Sequence, residues 1–322
     1  MKVIKNLKGG SFSKTQLIEI KGRKYVRKSI DSSINREYGL VRWHSQLRKI
    51  QILEKIVPDL IVPIERIGSE KGYYYYDMPY FCDGKNCFDY INKGNGVEFV
   101  EEKIIEILDQ LSEYKYRATK GSMSVYLEEE VKKPLVMAYE ILLQNKNKMF
   151  NSNEELYIYK KIEAGMKSVD DEIKKFRNKE INENLTHGNL TLENILIDPK
   201  SRKLYLIDPY YETYTENLNG DLSQLMQSAK SGYEYMVKRK KSSGKFSIDK
   251  YPHNEISKNL KKFANNILNK VNERKWYDKE LLNCFYGSQF IRMFPFKLQQ
   301  NTRLAYFFML HGIEIIGEKI NA

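Results

Sequence analysis

The chain has 322 residues, 41% hydrophobic and 30% charged, and 54 Lys and Arg against 42 Asp and Glu give a net charge of +12. That balance suits a globular protein with enough chain for two lobes and no need of disulfides, and the three cysteines (Cys82, Cys87, Cys284) neither all pair nor show metal-ligand spacing. No apolar run approaches the ~20 residues of a membrane span and the first residues lack an apolar signal core, so the expected place is the reducing cytoplasm.

The elements follow in order. Residues 3–7, 15–20 and 24–30 alternate as three strands, with a glycine-bearing turn, Lys8-Gly9-Gly10-Ser11, between the first two and Lys21-Gly22-Arg23 between the last two. Residues 35–56 carry Leu40, Trp43, Leu47 and Ile50 at helical spacing, and Pro58 ends that helix. Residues 61–66 and 73–78 read as two more strands, the second a tyrosine run suited to a pleated, half-buried surface. From Pro79 the character changes. A connector over 79–85 leads into helical patterns over 88–91, 99–116, 139–143 and 156–176. The stretch 186–197 breaks the helical pattern, residues 195–197 and 204–207 pair as a hairpin, and the remainder from Asp221 is mainly helical and aromatic-rich.

The basic surplus is spread along the chain and is mostly lysine, which argues against nucleic acid as the principal partner. Attraction to phosphorylated small molecules, or peripheral contact with an anionic membrane surface, stays open.

The chemistry is concentrated in His187-Gly188-Asn189-Leu190-Thr191-Leu192-Glu193-Asn194 and the following Leu206-Ile207-Asp208-Pro209. A kinase catalytic loop has the form His-x-Asp-x-x-x-x-Asn, with a metal-binding Asp on the next strand turn. Asn194 stands at the asparagine position, and Asp208 follows across the hairpin. An amide carbonyl and a carboxylate are the hard oxygen ligands that Mg²⁺ takes. The sequence HGNLTLENILID…LYLIDP resembles the aminoglycoside phosphotransferase and choline kinase superfamily, and within it the bacterial sugar and cell-envelope phosphotransferases.

That resemblance implies an α+β, two-lobed protein-kinase-like fold: a β-rich N-lobe over 1–78, a hinge over 79–85 and a helical C-lobe over 86–322. It implies ATP or GTP with Mg²⁺ between the lobes. Lys28 holds the phosphates and Glu37 orients it; Gly9, Gly10 and Ser11 bring backbone amides to the phosphates, since glycine lacks a Cβ. The hinge at Met78, Tyr80 and Phe81 grips the base, Asn194 and Asp208 bind metal, and His187 supports the loop. Lys24 competes with Lys28; Lys28 is preferred because it shares a strand face with Val26. The acceptor is a hydroxyl of a sugar or cell-envelope precursor, and the aromatic helices over 285–308 are expected to wall its site, with their aromatics more often core than sugar-stacking platforms.

Asn189 departs from the pattern, because the superfamily carries the catalytic-base aspartate there. An amide has no useful basicity at neutral pH, although it still hydrogen-bonds a hydroxyl. Three explanations stand: an inactivated variant of an active scaffold, which is preferred; a natural pseudokinase acting as a nucleotide-binding regulator; or another carboxylate, with Glu193 nearest. A protein kinase is disfavoured, since no Phe-Gly follows Asp208 and no Ala-Pro-Glu lies downstream. An aminoglycoside-resistance enzyme would need an acidic acceptor cleft, against the basic surplus here.

Overall fold

A computed structural model of the chain describes residues 1–7, 13–31, 36–81, 84–146, 148–211, 214–238, 248 and 251–317, the side chains of residues 36–38, 238 and 254 excepted. In chain order the elements begin with β1 (Lys2–Asn6), β2 (Lys14–Ile20), β3 (Arg23–Asp31), α1 (Arg36–Ile56), β4 (Arg66–Glu70), β5 (Tyr73–Pro79), β6 (Lys85–Asn86) and α2 (Cys87–Asn92). Next come α3 (Val97–Ser112), β7 (Lys115–Lys120), α4 (Ser122–Leu127), α5 (Lys133–Gln144), α6 (Ser152–Phe176), β8 (Glu180–Asn184), β9 (Ile195–Asp198) and β10 (Lys203–Leu206). The chain ends through α7 (Leu218–Ala229), α8 (Tyr233–Lys238), α9 (Lys258–Val271), α10 (Lys279–Ile291), α11 (Phe294–Leu298) and α12 (Thr302–Gly317). Two compact units result: Met1–Tyr90 with His187–Tyr211, and Ile91–Thr186 with Glu212–Ala322. The loop segment from His187, expected with the helical part, packs within the first unit.

In the first unit a five-stranded antiparallel sheet has the order β1-β2-β3-β5-β4. Two Lys-Gly pairs set its hairpins. Lys21 and Gly22, and again Lys71 and Gly72, have positive φ, the backbone whose twist suits a two-residue hairpin turn. Alternation along β3 sends Lys28 to the same face as Tyr76 of β5 and Arg27 to the face of Asp77. Helix α1 covers the Lys28 face, where the Trp43 ring lies 5.8 Å from that of Tyr74 and 6.4 Å from that of Tyr76. On the opposite face the Arg27 guanidinium forks onto Asp77 at 2.7 and 2.9 Å, and Arg66 Nε lies 3.3 Å from the same fully buried carboxylate. Asp77 thus neutralises charge that burial alone would make costly.

A second sheet, β10-β9-β6, carries the hairpin expected around residues 195–207. The strand expected over 61–66 is not formed. Pro63 has no N–H to give to a ladder, so the segment makes one parallel bridge, Ile61 to Leu206, and β4 starts only at Arg66. That bridge, with Leu206 N–H donating to Leu60 O at 2.6 Å, ties the first ninety residues to β10.

The second unit is mainly helical, with one two-stranded sheet, β7-β8. The helix expected over 99–116 ends at Ser112, because residues from Lys115 pair with β8. Helix α6 opens on a capping box in which Asn151 accepts from Glu154 N–H and the Glu154 side chain reaches back. Helices α10 and α12 approach closely at Gly287 and Gly312, where a Cβ on either would stand 2.7 or 2.6 Å from the other's carbonyl oxygen. The aromatic side chains of these helices belong to the core, the commoner role for such rings. Phe285, Phe290, Phe294, Tyr306 and Phe308 are all buried, while Phe296 is exposed. No described helix is long and apolar enough to cross a membrane.

Candidate active site

The loop of residues 187–194 and the turn of residues 207–210 are pressed together, and glycine makes this possible. Gly188 has φ +75°, and a Cβ there would lie 1.8 Å from Tyr210 O. Around that contact Tyr210 N–H donates to His187 O at 2.8 Å and Ile207 N–H donates to Asn194 O at 3.0 Å. His187 is fully buried within this contact. Burial first, and the positive charge of Lys49 second, lower its pKa to about 3. It is a neutral imidazole at physiological pH.

Asp208 sits in the left-handed backbone region, φ 57°, immediately before Pro209. An aspartate tolerates that region better than most residues, yet surrounding contacts must hold it there. Two side chains supply them, and a third holds the second of these in turn. Lys28 Nζ donates to Asp208 Oδ1 at 2.7 Å, an ion pair in which the lysine is nearly buried and the carboxylate 30% exposed. Asn189 Nδ2 donates to Asp208 O at 3.0 Å. Asn194 Nδ2 donates to Asn189 O at 2.8 Å, which fixes its amide with the carbonyl oxygen on the other side.

One contributor has no counterpart in the sequence reading. From α1, Gln46 Nε2 donates to Pro209 O at 3.2 Å while its Oε1 accepts from Tyr76 O–H at 3.0 Å. Burial, then the charge of Asp208, holds the Tyr76 phenol well above its usual pKa, so it stays a donor. The same side of α1 sets Arg42 over the Tyr210 ring at 4.7 Å and the fully buried Lys49 over the Tyr211 ring at 4.5 Å. The sequence signal for Gln46 is a polar residue three positions from Trp43 and four from Ile50, inside the apolar stripe.

Lys28, Asn189, Asn194, Asp208 and His187 are therefore brought together within one unit. Lys24, the competing lysine, is exposed opposite Glu19. Met78 is buried in β5, and Phe81 stacks on Tyr205 with ring centroids 4.7 Å apart while its carbonyl accepts from Gly84 N–H. Tyr80 is half-buried beside it. Gly9, Gly10 and Ser11 lie outside the described residues, as does the side chain of Glu37, whose backbone belongs to the first turn of α1. The Glu193 carbonyl accepts from Asn86 Nδ2 at 3.0 Å, anchoring β6 beside the loop.

Asp208 and Asn194 present a carboxylate and an amide carbonyl, a donor set that fits Mg²⁺ completing its shell with phosphate and water oxygens. A protein-only cage is a different matter: among the described residues no group of three or more His, Cys, Asp or Glu is placed to hold a metal.

No protein-family model matches the chain. Solved structures do. A putative fructosamine-3-kinase from Haemophilus somnus 129PT is similar at TM-score 0.52 and 14% identity, over 98% of this chain and 90% of its own. The aminoglycoside phosphotransferase APH(4)-Ia is similar at TM-score 0.55 and 9% identity, over 97% of this chain and 93% of its own. The expected architecture, a small antiparallel-sheet N-terminal region and a mostly helical C-terminal part, is the kinase-like fold that these structures share with this chain.

Proposed function

We propose that the protein is a small-molecule phosphotransferase that binds ATP or GTP with Mg²⁺ and passes the γ-phosphoryl group to a hydroxyl of a sugar or sugar-containing cell-envelope precursor. The observation that carries this reading is the Lys28–Asp208 pair at 2.7 Å, hydrogen-bonded through Asn189 to Asn194. In it Lys28 neutralises phosphate charge, Asp208 and Asn194 hold the metal, and the metal when bound draws charge from the transferring phosphoryl group. Phosphoryl transfer asks the protein mainly for positioning and charge stabilisation. With no carboxylate at 189, transfer proceeds without a general base there, a deficit typically of ~10²–10⁴ in rate. The similar structures, a putative fructosamine-3-kinase and an aminoglycoside phosphotransferase, support a small hydroxyl-bearing acceptor.

A second reading is a nucleotide-binding regulator without turnover. It is favoured by Asn189 Nδ2, which is committed to a main-chain carbonyl. Titration calorimetry with Mg·ATP and Mg·GTP, followed by a screen of sugars for phosphorylated product, tests both. Wild type is expected to bind, with affinity falling at least about tenfold in Lys28→Met and Asp208→Asn. Product identifies the transferase, and saturable binding without product identifies the regulator. If wild type does not bind either nucleotide, both readings fail.

A further inference from the structure

Two side-chain amides grip consecutive carbonyls of one turn. Asn189 Nδ2 donates to Asp208 O at 3.0 Å, and Gln46 Nε2 donates to Pro209 O at 3.2 Å. They come from a loop and a helix 143 positions apart (189 − 46), yet they meet the same two-residue segment. The segment needs such help, since Asp208 has φ 57° and Pro209 brings no N–H of its own. Both amides point their nitrogen at the turn. A carbonyl oxygen accepts only from a donor, so nitrogen must face the turn in each, and the Gln46 oxygen is already accepting from Tyr76. An ionised carboxylate at either position has no proton to give and would set negative oxygen against a carbonyl oxygen. Asparagine at 189 therefore does something in this chain that aspartate cannot.

We propose that Asn189 and Gln46 are positioning residues: an amide clamp that holds the Asp208–Pro209 turn in its left-handed form and so sets the Asp208 carboxylate against Lys28 before any ligand arrives. Residue 189 is then a native structural amide and not a disabled base, and aspartate there undoes the turn. The clamp follows from the hydrogen bonds alone; only its use, presenting Asp208 to a metal–nucleotide, rests on the proposed function.

The test compares full-length wild type with Asn189→Asp, Asn189→Ala and Gln46→Glu. Hydrogen exchange of the peptide over residues 206–211, measured without nucleotide, is expected to quicken about tenfold or more in each variant, with exchange in β2 and β3 unchanged. Affinity for Mg·ADP is expected to fall about three- to tenfold in Asn189→Ala, and further in the two carboxylate variants. Affinity for ADP in excess chelator is expected to stay within about twofold, a split that general destabilisation does not produce. Gln46→Met supplies the same readout if Asn189→Asp does not fold. Wild-type exchange rates at the turn in these variants would overturn the clamp, as would Asn189→Asp gaining phosphoryl transfer at undiminished Mg·ADP affinity. Wild type that fails to bind Mg·ADP sinks the nucleotide reading, and exchange at the turn then decides the clamp by itself.

Discussion

His187 gives the first unit a calculable sensitivity to acid. Its ring is fully buried, and burial together with the charge of Lys49 outweighs the opposing pull of Asp208, lowering its pKa from 6.5 to about 3. In the unfolded chain the ring titrates near 6.5. Between those values the unfolded state binds a proton that the folded state refuses, so stability rises with pH there. The contribution is whole above about pH 6.5 and is lost as pH falls toward 3. At pH 5 the loss relative to pH 7 amounts to about 2 kcal/mol. Urea unfolding reads it directly. The chain has two tryptophans, and Trp43 is buried in the first unit, so a Trp276→Phe background lets fluorescence report that unit. Wild type is expected to lose about 2 kcal/mol more than His187→Gln between pH 7 and pH 5. His311, whose pKa burial also lowers, adds an acid limb in the second unit that both proteins share and that cancels in the difference. Equal losses in wild type and His187→Gln would refute a neutral, buried His187.

Three further outcomes are expected. Gly188→Ala, which puts a Cβ 1.8 Å from Tyr210 O at φ +75°, should lower stability by about 3 kcal/mol, seen as a shifted urea midpoint; an unchanged midpoint would mean that loop and turn are not in contact. Asp77→Asn strips the carboxylate from Arg27 and Arg66 and should cost about 3 kcal/mol by the same assay, whereas loss of an exposed pair would cost under about 1. Burial pushes the thiols of Cys87 and Cys284 well up, so in a Cys82→Ser background a disulfide reagent should label neither until urea unfolds the chain; labelling at the native rate of a free thiol would contradict that burial.

What the sequence disclosed, and what it withheld, follows from the range of each interaction. The β2–β3 and β9–β10 hairpins were legible because their signals are local: alternating residues flanking Lys21-Gly22 or 198–202. Alternation alone does not tell Lys28 from Lys24, since both share a strand face with Val26; the structure separates them by burying one against Asp208 and exposing the other. The loop octapeptide announced itself by order and spacing. Gln46 did not, because its partners Pro209 and Tyr76 are 163 and 30 residues away and no periodicity encodes such a bond. The strand error at 61–66 has a similar origin. Ile61 and Val62 look like an alternating strand, but Pro63 blocks the ladder, and Leu206, far along the chain, takes up the apolar segment instead. The aromatic run over 285–308 is read as core because large rings are more often buried than presented to a ligand, and Phe285, Phe290, Phe294, Tyr306 and Phe308 are buried.

The two amides also explain how a loop without a base can keep the rest of its motif. In phosphoryl transfer a general base contributes one part of the acceleration, while placing the metal and the phosphate contributes another. On the proposed function, Asn189 would forfeit the first and, through Asp208 O, support the second. Selection for placement alone would preserve Lys28, Asn194, Asp208 and the close-packed Gly188, which here pair with Asp208, Asn189, Lys28 and Tyr210 respectively. It would also tolerate glutamine at position 46, since a neutral amide there holds Pro209 O without adding a second negative charge beside Asp208. The kinetic signature of such a trade is tight Mg²⁺-dependent nucleotide binding with slow turnover. A single-turnover measurement on wild type, with the binding constant taken from the same titration, distinguishes it from a merely damaged enzyme, in which affinity and rate fall together.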